Sequence, residues 1–149
     1  MPEVQINMAV PSDSPAIAAI LADPLVQRRA HLMVVPDPTA VAMLMRSTHL
    51  LTIRCDKQIV GIMTLEQVTA TCWELGYLLR RTDWGEGIMT AAVGLLCDRL
   101  QPGNCLRATV DDDNIGSQRV LIKNDFAKET DDGEQGKWFF QKGLALIKY

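Results

Sequence analysis

Gly85-Glu86-Gly87 is the segment with the most chemical content in this sequence. It follows Cys72–Leu79, an apolar stretch that reads as a strand. It precedes a run in which Ile88, Ala91, Ala92, Leu95 and Leu96 recur at helical spacing, as one stripe of a helix. The first turn of a helix carries backbone N–H groups with no intrahelical partner, and its dipole favours negative charge. Glycine lets the chain turn sharply and lets a phosphate approach the main chain closely. A Gly-x-Gly step at this junction is therefore an anion cradle suited to a pyrophosphate. The alternative is that the two glycines only make a turn. Other reactive side chains are less organised. Cys55, Cys72, Cys97 and Cys105 form no Cys-x-x-Cys pair, which argues against zinc and leaves them as reduced, small core residues. His31 and His49 have no spaced partner and read as surface or helix-end residues rather than ligands.

The elements around the glycines can be read from periodicity and punctuation. Val4 to Val10 alternates loosely as a first strand, stopped by Pro11. Ser12 and Asp13 precede Ile17, Ile20 and Leu21 and are candidate caps of a first helix. A second helix runs from about Pro38 to Arg46, with Asp37 near its start and Val41, Leu44 and Met45 on one face. Leu50–Arg54, Ile59–Leu65 and Cys72–Leu79 make a meander, with Asp56-Lys57 as a turn. The striped helix spans about 85–100 and ends at Pro102-Gly103. Leu106–Val110 is a short strand, and Asn114 opens another helix bearing Val120 and Leu121. Trp138–Ile147 reads as a last strand after the turn-rich stretch 131–136. Consecutive strands followed by alternation give an α+β domain: a mixed, mostly antiparallel central sheet with helices on both faces and one βαβ unit. No repeat or long linker divides the chain, so one domain over residues 1–149 is expected.

The totals agree with a globular enzyme-sized domain. Of 149 residues, 48 % are apolar and 22 % charged, and the net charge is −3. That balance argues against broad electrostatic binding to nucleic acid. No apolar run is long enough to cross a bilayer, and Met1–Met8 does not read as a signal peptide. A cytoplasmic protein with no membrane or nucleic-acid partner is the expectation.

Two blocks then carry a resemblance to a known family. Glu74-Leu75-Gly76-Tyr77-Leu78-Leu79 with Trp84-Gly85-Glu86-Gly87-Ile88-Met89-Thr90-Ala91-Ala92 resembles the acyl-CoA-binding motif of the GNAT superfamily of N-acetyltransferases. The resemblance is to its RimJ/RimL-like branch. Arg107-Ala108-Thr109-Val110, Asn114, Ser117 and Arg119–Phe126 are similar to that branch's second block. Together the blocks cover about Glu74 to Glu129. The resemblance implies acetyl-CoA as co-substrate, no metal, and a primary amine as acceptor: a protein N-terminus, a lysine or a small amine. It also makes a homodimer plausible.

It implies site residues as well. The family's (Arg/Gln)-x-x-Gly-x-(Gly/Ala) loop falls on Thr82, Gly85 and Gly87, with Trp84, Glu86 and Ile88 as neighbours. Thr82 departs from the pattern, and Arg80 or Arg81 would supply charge instead. The backbone at Leu78 and Leu79 would pair with pantetheine amides, with Asn114 beside that arm. Lys123 and Arg119 lie toward the 3′-phosphate end, or else form a solvated helix face. Amide formation needs a neutral amine, hence a general base. Glu74 is the first choice and Glu66 the second, although Glu74 is equally explained as an exposed strand carboxylate or ion-pair partner. Ser117 is the candidate proton donor or thioester contact. The family's tyrosine acid is replaced by Leu121, and the glycine before Phe126 by Asp125. These departures leave a non-catalytic acyl-CoA sensor or interaction domain as the alternative. A dinucleotide fold is disfavoured because Thr90 stands at its third glycine position and only one βαβ unit is visible.

Overall fold

The computed structural model describes residues 3–30, 32, 34–129 and 137–143. Among them the order is β1 (Val4–Met8), α1 (Ser14–Leu21), α2 (Pro24–Ala30), α3 (Pro38–Ser47), β2 (His49–Cys55), β3 (Gln58–Gln67), β4 (Cys72–Leu79), α4 (Ile88–Arg99), β5 (Cys105–Asp111), α5 (Ile115–Lys123), β6 (Ala127–Glu129) and β7 (Lys137–Gly143). The strands form one sheet in the order β1-β2-β3-β4-β5-β7-β6. β1–β2, β2–β3, β5–β7 and β6–β7 are antiparallel, and β4–β5 is parallel. This is the mixed sheet of an α+β fold that the sequence implies. The turn expected at 131–136 and the strand end expected at 144–147 lie outside the described residues.

The chain groups into two compact units, Met1–Leu65 with Gly76–Ile88, and Glu66–Leu75 with Met89–Tyr149. In the first, Ile17, Leu21, Val26, Val41, Leu50, Ile62 and Leu78 are buried together as a core. The Asp37 carboxylate accepts from the Ala40 amide at 2.9 Å, and Pro38 opens α3, so that helix begins where its cap and proline dictate. Asp56 and Lys57 both take positive φ, 50° and 71°, as a tight hairpin between twisted strands demands. α2 is absent from the sequence reading. It starts on the same signal as α3, an Asp-Pro step, with Asp23 accepting from the Leu25 amide at 3.0 Å. Asp13 does not cap α1 by its side chain. Its carboxylate turns back to the Val10 amide at 2.9 Å and pairs with Arg54 at 3.1 Å.

In the second unit, β5 alternates: Leu106, Ala108 and Val110 are buried, while Cys105, Arg107, Thr109 and Asp111 are half-buried. On α4 the buried stripe is Met89, Ala92, Val93 and Leu96, whereas Ala91 is exposed and Leu95 half-buried. The expected stripe is thus rotated by about one residue. The helix is apolar nearly all round, so composition alone cannot choose its inner face; contacts do. Asn124 donates to the Thr90 carbonyl at 3.1 Å, and Gly94 faces the Asn124 side chain.

α5 ends in a Schellman motif. The Phe126 amide bonds to the Leu121 carbonyl and the Asp125 amide to that of Ile122, each at 3.0 Å, and Phe126 and Leu121 are buried. The position between them, Asp125, has φ 66°. The left-handed turn therefore survives although glycine is missing. Asp125→Gly should stabilise the chain by roughly 0.5–1 kcal/mol, and Asp125→Val should destabilise it by about 1–2 kcal/mol. Urea unfolding of the two variants beside the parent measures both signs.

Candidate functional site

The segment that the sequence offers as a phosphate loop lies in the first unit. β4 ends at Leu79, the Arg80 amide bonds to the Val60 carbonyl at 2.7 Å, and a 3-10 turn covers Arg81–Asp83. The Trp84 indole N–H donates to the Leu79 carbonyl at 2.8 Å, bracing the loop against the strand end it has just left. Gly85 and Gly87 then take φ 80° and 77°. That conformation is cheap only for glycine, and it explains why α4 begins at Ile88 instead of Gly85. A Cβ built on either glycine meets nothing within 4 Å. The loop thus presents bare main chain to open space just before a helix that starts on a buried Ile88. Bare amides at a helix start fit a pyrophosphate.

The charges near the loop are already engaged. Arg80 Nε lies 2.7 Å from Asp83 Oδ2. Arg81 grips Asp23 with two bonds, Nε–Oδ2 at 2.9 Å and Nη2–Oδ1 at 2.5 Å. The hydrogen bond from Arg81 holds the Asp23 carboxyl below the usual range, against a smaller upward push from desolvation. Thr82 and Glu86 are exposed, and Leu78 and Leu79 bury their side chains. No signal in the sequence joins Asp23 to Arg81, because they lie far apart along the chain.

The second unit holds the acid–base candidates. Glu74 is half-buried on β4, opposite Arg107 of β5, and its Oε1 accepts from the Thr109 hydroxyl at 3.4 Å. Glu66 is exposed at the end of β3. Asn114 caps α5, its Oδ1 accepting from the Ser117 amide at 3.2 Å, which leaves Ser117 half-buried in the first turn. Lys123 and Arg119 are exposed, and Lys123 sits in the last turn of α5, where a cation suits the helix dipole. Leu121 is fully buried, as core packing. The four cysteines are free and half-buried, less enclosed than core residues. Burial pushes the Cys55 and Cys97 thiols up, away from the reactive thiolate form. Among the described residues, no group of three or more His, Cys, Asp or Glu side chains forms a metal site. No helix among them is long and apolar enough to cross a membrane.

Residues 4–127 match the family model described as an acetyltransferase (GNAT) domain. No curated protein matches significantly. A domain from Methanocaldococcus jannaschii shares 19 % identity at a TM-score of 0.79, over 97 % of this chain and 100 % of that one. RimL, a ribosomal alpha-N-protein acetyltransferase in complex with coenzyme A, shares 15 % at 0.75, over 95 % and 94 %. A ribosomal-protein-alanine N-acetyltransferase from Brucella melitensis shares 18 % at 0.74, over 94 % and 99 %. At these identities the likeness is one of fold.

The Asp23–Arg81 pair generates a pH test. The folded-state pKa of Asp23 is depressed, so its contribution is present above the unfolded value of ~3.9 and lost as pH falls through the folded value. Arg81→Gln should lower the melting temperature at neutral pH, and its deficit should close in acid, below the usual aspartate range. Thermal unfolding of both proteins from neutral pH downward measures this.

Proposed function

This chain belongs to the GNAT acetyltransferase family, the acetyl-CoA-dependent N-acetyltransferases, and from that premise we propose that the Gly85–Gly87 loop holds the coenzyme A pyrophosphate while Glu74 serves as the general base. The observation that carries the reading is the pair of left-handed glycines opening on unfilled space just ahead of α4. Main-chain amides there meet the phosphate charge, with Trp84 and Ile88 fixing the two ends of the loop. Leu78, Leu79, Arg80, Thr82, Glu86 and Asn114 complete the cofactor contacts, and Lys123 extends them toward the 3′-phosphate.

Acetyl-CoA supplies an activated thioester carbonyl for attack by an amine. An amine is protonated at neutral pH and has no lone pair to attack with. Glu74 takes that proton, directly or through one water; its half-buried carboxylate is oriented by the Thr109 hydroxyl. Glu66, exposed, is the second choice. Ser117 donates toward the departing sulfur. The acceptor is a primary amine, and relatives of this fold that act on ribosomal protein N-termini support a protein N-terminus. The net charge of −3 suits a cationic acceptor. The whole of residues 1–149 works as one acyltransferase domain of the RimJ/RimL-like branch, in the cytoplasm, as a homodimer.

Thiol release from acetyl-CoA across amines and N-terminal peptides tests the reading, and turnover with at least one acceptor is expected. Tight acetyl-CoA binding with no turnover on a broad panel would instead favour the non-catalytic sensor. Glu74→Gln should lower kcat by about 10²-fold or more with acetyl-CoA affinity retained; unchanged turnover removes Glu74 as the base. Gly87→Trp should abolish acetyl-CoA binding by calorimetry while the circular dichroism spectrum stays that of the parent. Undiminished affinity places the cradle elsewhere.

A further inference from the structure

Cys72 and Cys105 occupy directly opposed positions at the first residues of β4 and β5. In a strand, alternate residues share a face, so Cys72 and Glu74 lie on the same side of the sheet as Cys105, Arg107 and Thr109. The two sulfurs are 2.7 Å apart, about 0.7 Å beyond the ~2.05 Å of a disulfide bond. Both main chains are fixed. The Cys72 amide donates to the Thr69 hydroxyl at 3.0 Å, and its carbonyl accepts from the amides of Val68 at 2.9 Å and Thr69 at 3.2 Å. The Cys105 amide donates to the Thr71 carbonyl at 2.8 Å. Strand pairing brings the two Cα atoms within the span a disulfide bridges. Neither residue is fully buried, so the pair is not sealed inside the core.

We propose that Cys72 and Cys105 are a reversible disulfide-forming pair that staples β4 to β5 when it meets a low-molecular-weight disulfide. One protein thiol gives its proton to solvent, and its sulfur attacks the reagent RSSR, expelling RS⁻ and leaving a mixed disulfide. The second protein thiol then loses its proton and attacks the protein sulfur of that bond, expelling the second RS⁻. The two thiolates take up the two protons. The net change is two protein S–H groups and one RSSR becoming one protein disulfide and two RSH. The protein loses two electrons and the reagent gains them.

Desolvation, then the contact with Cys72, pushes the Cys105 pKa up to about 11, so this residue rests as a neutral thiol. The residues are already paired in register, so closing the bond asks for little movement of the strands that carry Glu74 and Thr109. The bond therefore acts as a brace and leaves the reaction running.

The test uses the full chain, reduced and then exposed to glutathione disulfide. The expected product has lost two hydrogens by intact mass, and its free thiols fall from the four of the sequence to two. Peptide mapping should join Cys72 to Cys105. The melting temperature should rise by roughly 5–15 °C, reversed by dithiothreitol. Acetyl transfer should stay within about two-fold of the reduced enzyme, since the strands barely move. Cys72→Ser and Cys105→Ser should stop at a glutathione adduct, with no such rise. An unmodified parent, a parent that stops at the adduct, or a link through Cys55 or Cys97 overturns the proposal. A Cys72–Cys105 link with no gain in melting temperature overturns the brace.

Discussion

A pyrophosphate carries its charge on a compact group that side chains would crowd, so the chain must bring main-chain N–H groups to it with no Cβ in the way. In the proposed reading Gly85 and Gly87 meet that constraint, at φ 80° and 77°. Bare main chain is also loose main chain, and glycine loses more freedom on ordering than any other residue. The stiffness of the loop is supplied by its neighbours. The Trp84 indole holds the Leu79 carbonyl, Arg80 holds Asp83, and Arg81 holds Asp23. On the far side, Ile88 is buried. Every anchor lies outside the glycine pair, which keeps the open space over it clear.

The same contacts decide where the attraction for an anion comes from. The sequence suggests that Arg80 or Arg81 compensates for Thr82. Each arginine already faces a carboxylate, so its field at a distance is that of a dipole rather than a full charge. In the proposed reading attraction then falls mainly to the amides and the start of α4, which act at short range. Glu86, exposed between the glycines, points the same way. A loop relying on long-range positive charge would be poorly served by a carboxylate there.

Much of this was legible in the sequence because local rules agree with the fold. Asp37-Pro38 begins a helix, Asp56-Lys57 turns a hairpin, and the Gly-x-Gly step separates β4 from α4. The misses share a cause, which is that long-range contacts choose between locally equivalent options. Asp23-Pro24 carries the same start signal as Asp37-Pro38, yet α2 has only seven residues and too few apolar positions to show a stripe. The inner face of α4 is selected by Asn124 and by packing, since Ala91 and Ala92 look alike to a periodicity argument. The partners of Glu74 and Arg81, Thr109 and Asp23, follow from strand register and from packing of distant segments. Neither leaves a trace in local spacing.

The second block of the resemblance, Arg107 to Phe126, shows why a family resemblance can be firm while its catalytic content stays thin. Asn114 is spent on capping α5. Gln118, buried, satisfies the carbonyls of Asp111 and Asp112 as β5 gives way to the helix, at 3.2 and 3.0 Å. Asn124 ties the end of α5 to α4 through Thr90, and its own carbonyl accepts from Lys142 at 2.7 Å. Asp125 makes the left-handed turn that buries Phe126. These residues answer to unpaired backbone groups at element ends, a demand imposed by folding whatever the reaction. The block therefore identifies the fold far more strongly than the chemistry. Substitutions at Leu121 and Asp125 can be absorbed because their duties are packing and turning. In the proposed reading the chemistry rests on fewer residues, chiefly Glu74, Ser117 and the bare loop, where a single replacement has no neighbour to share its role.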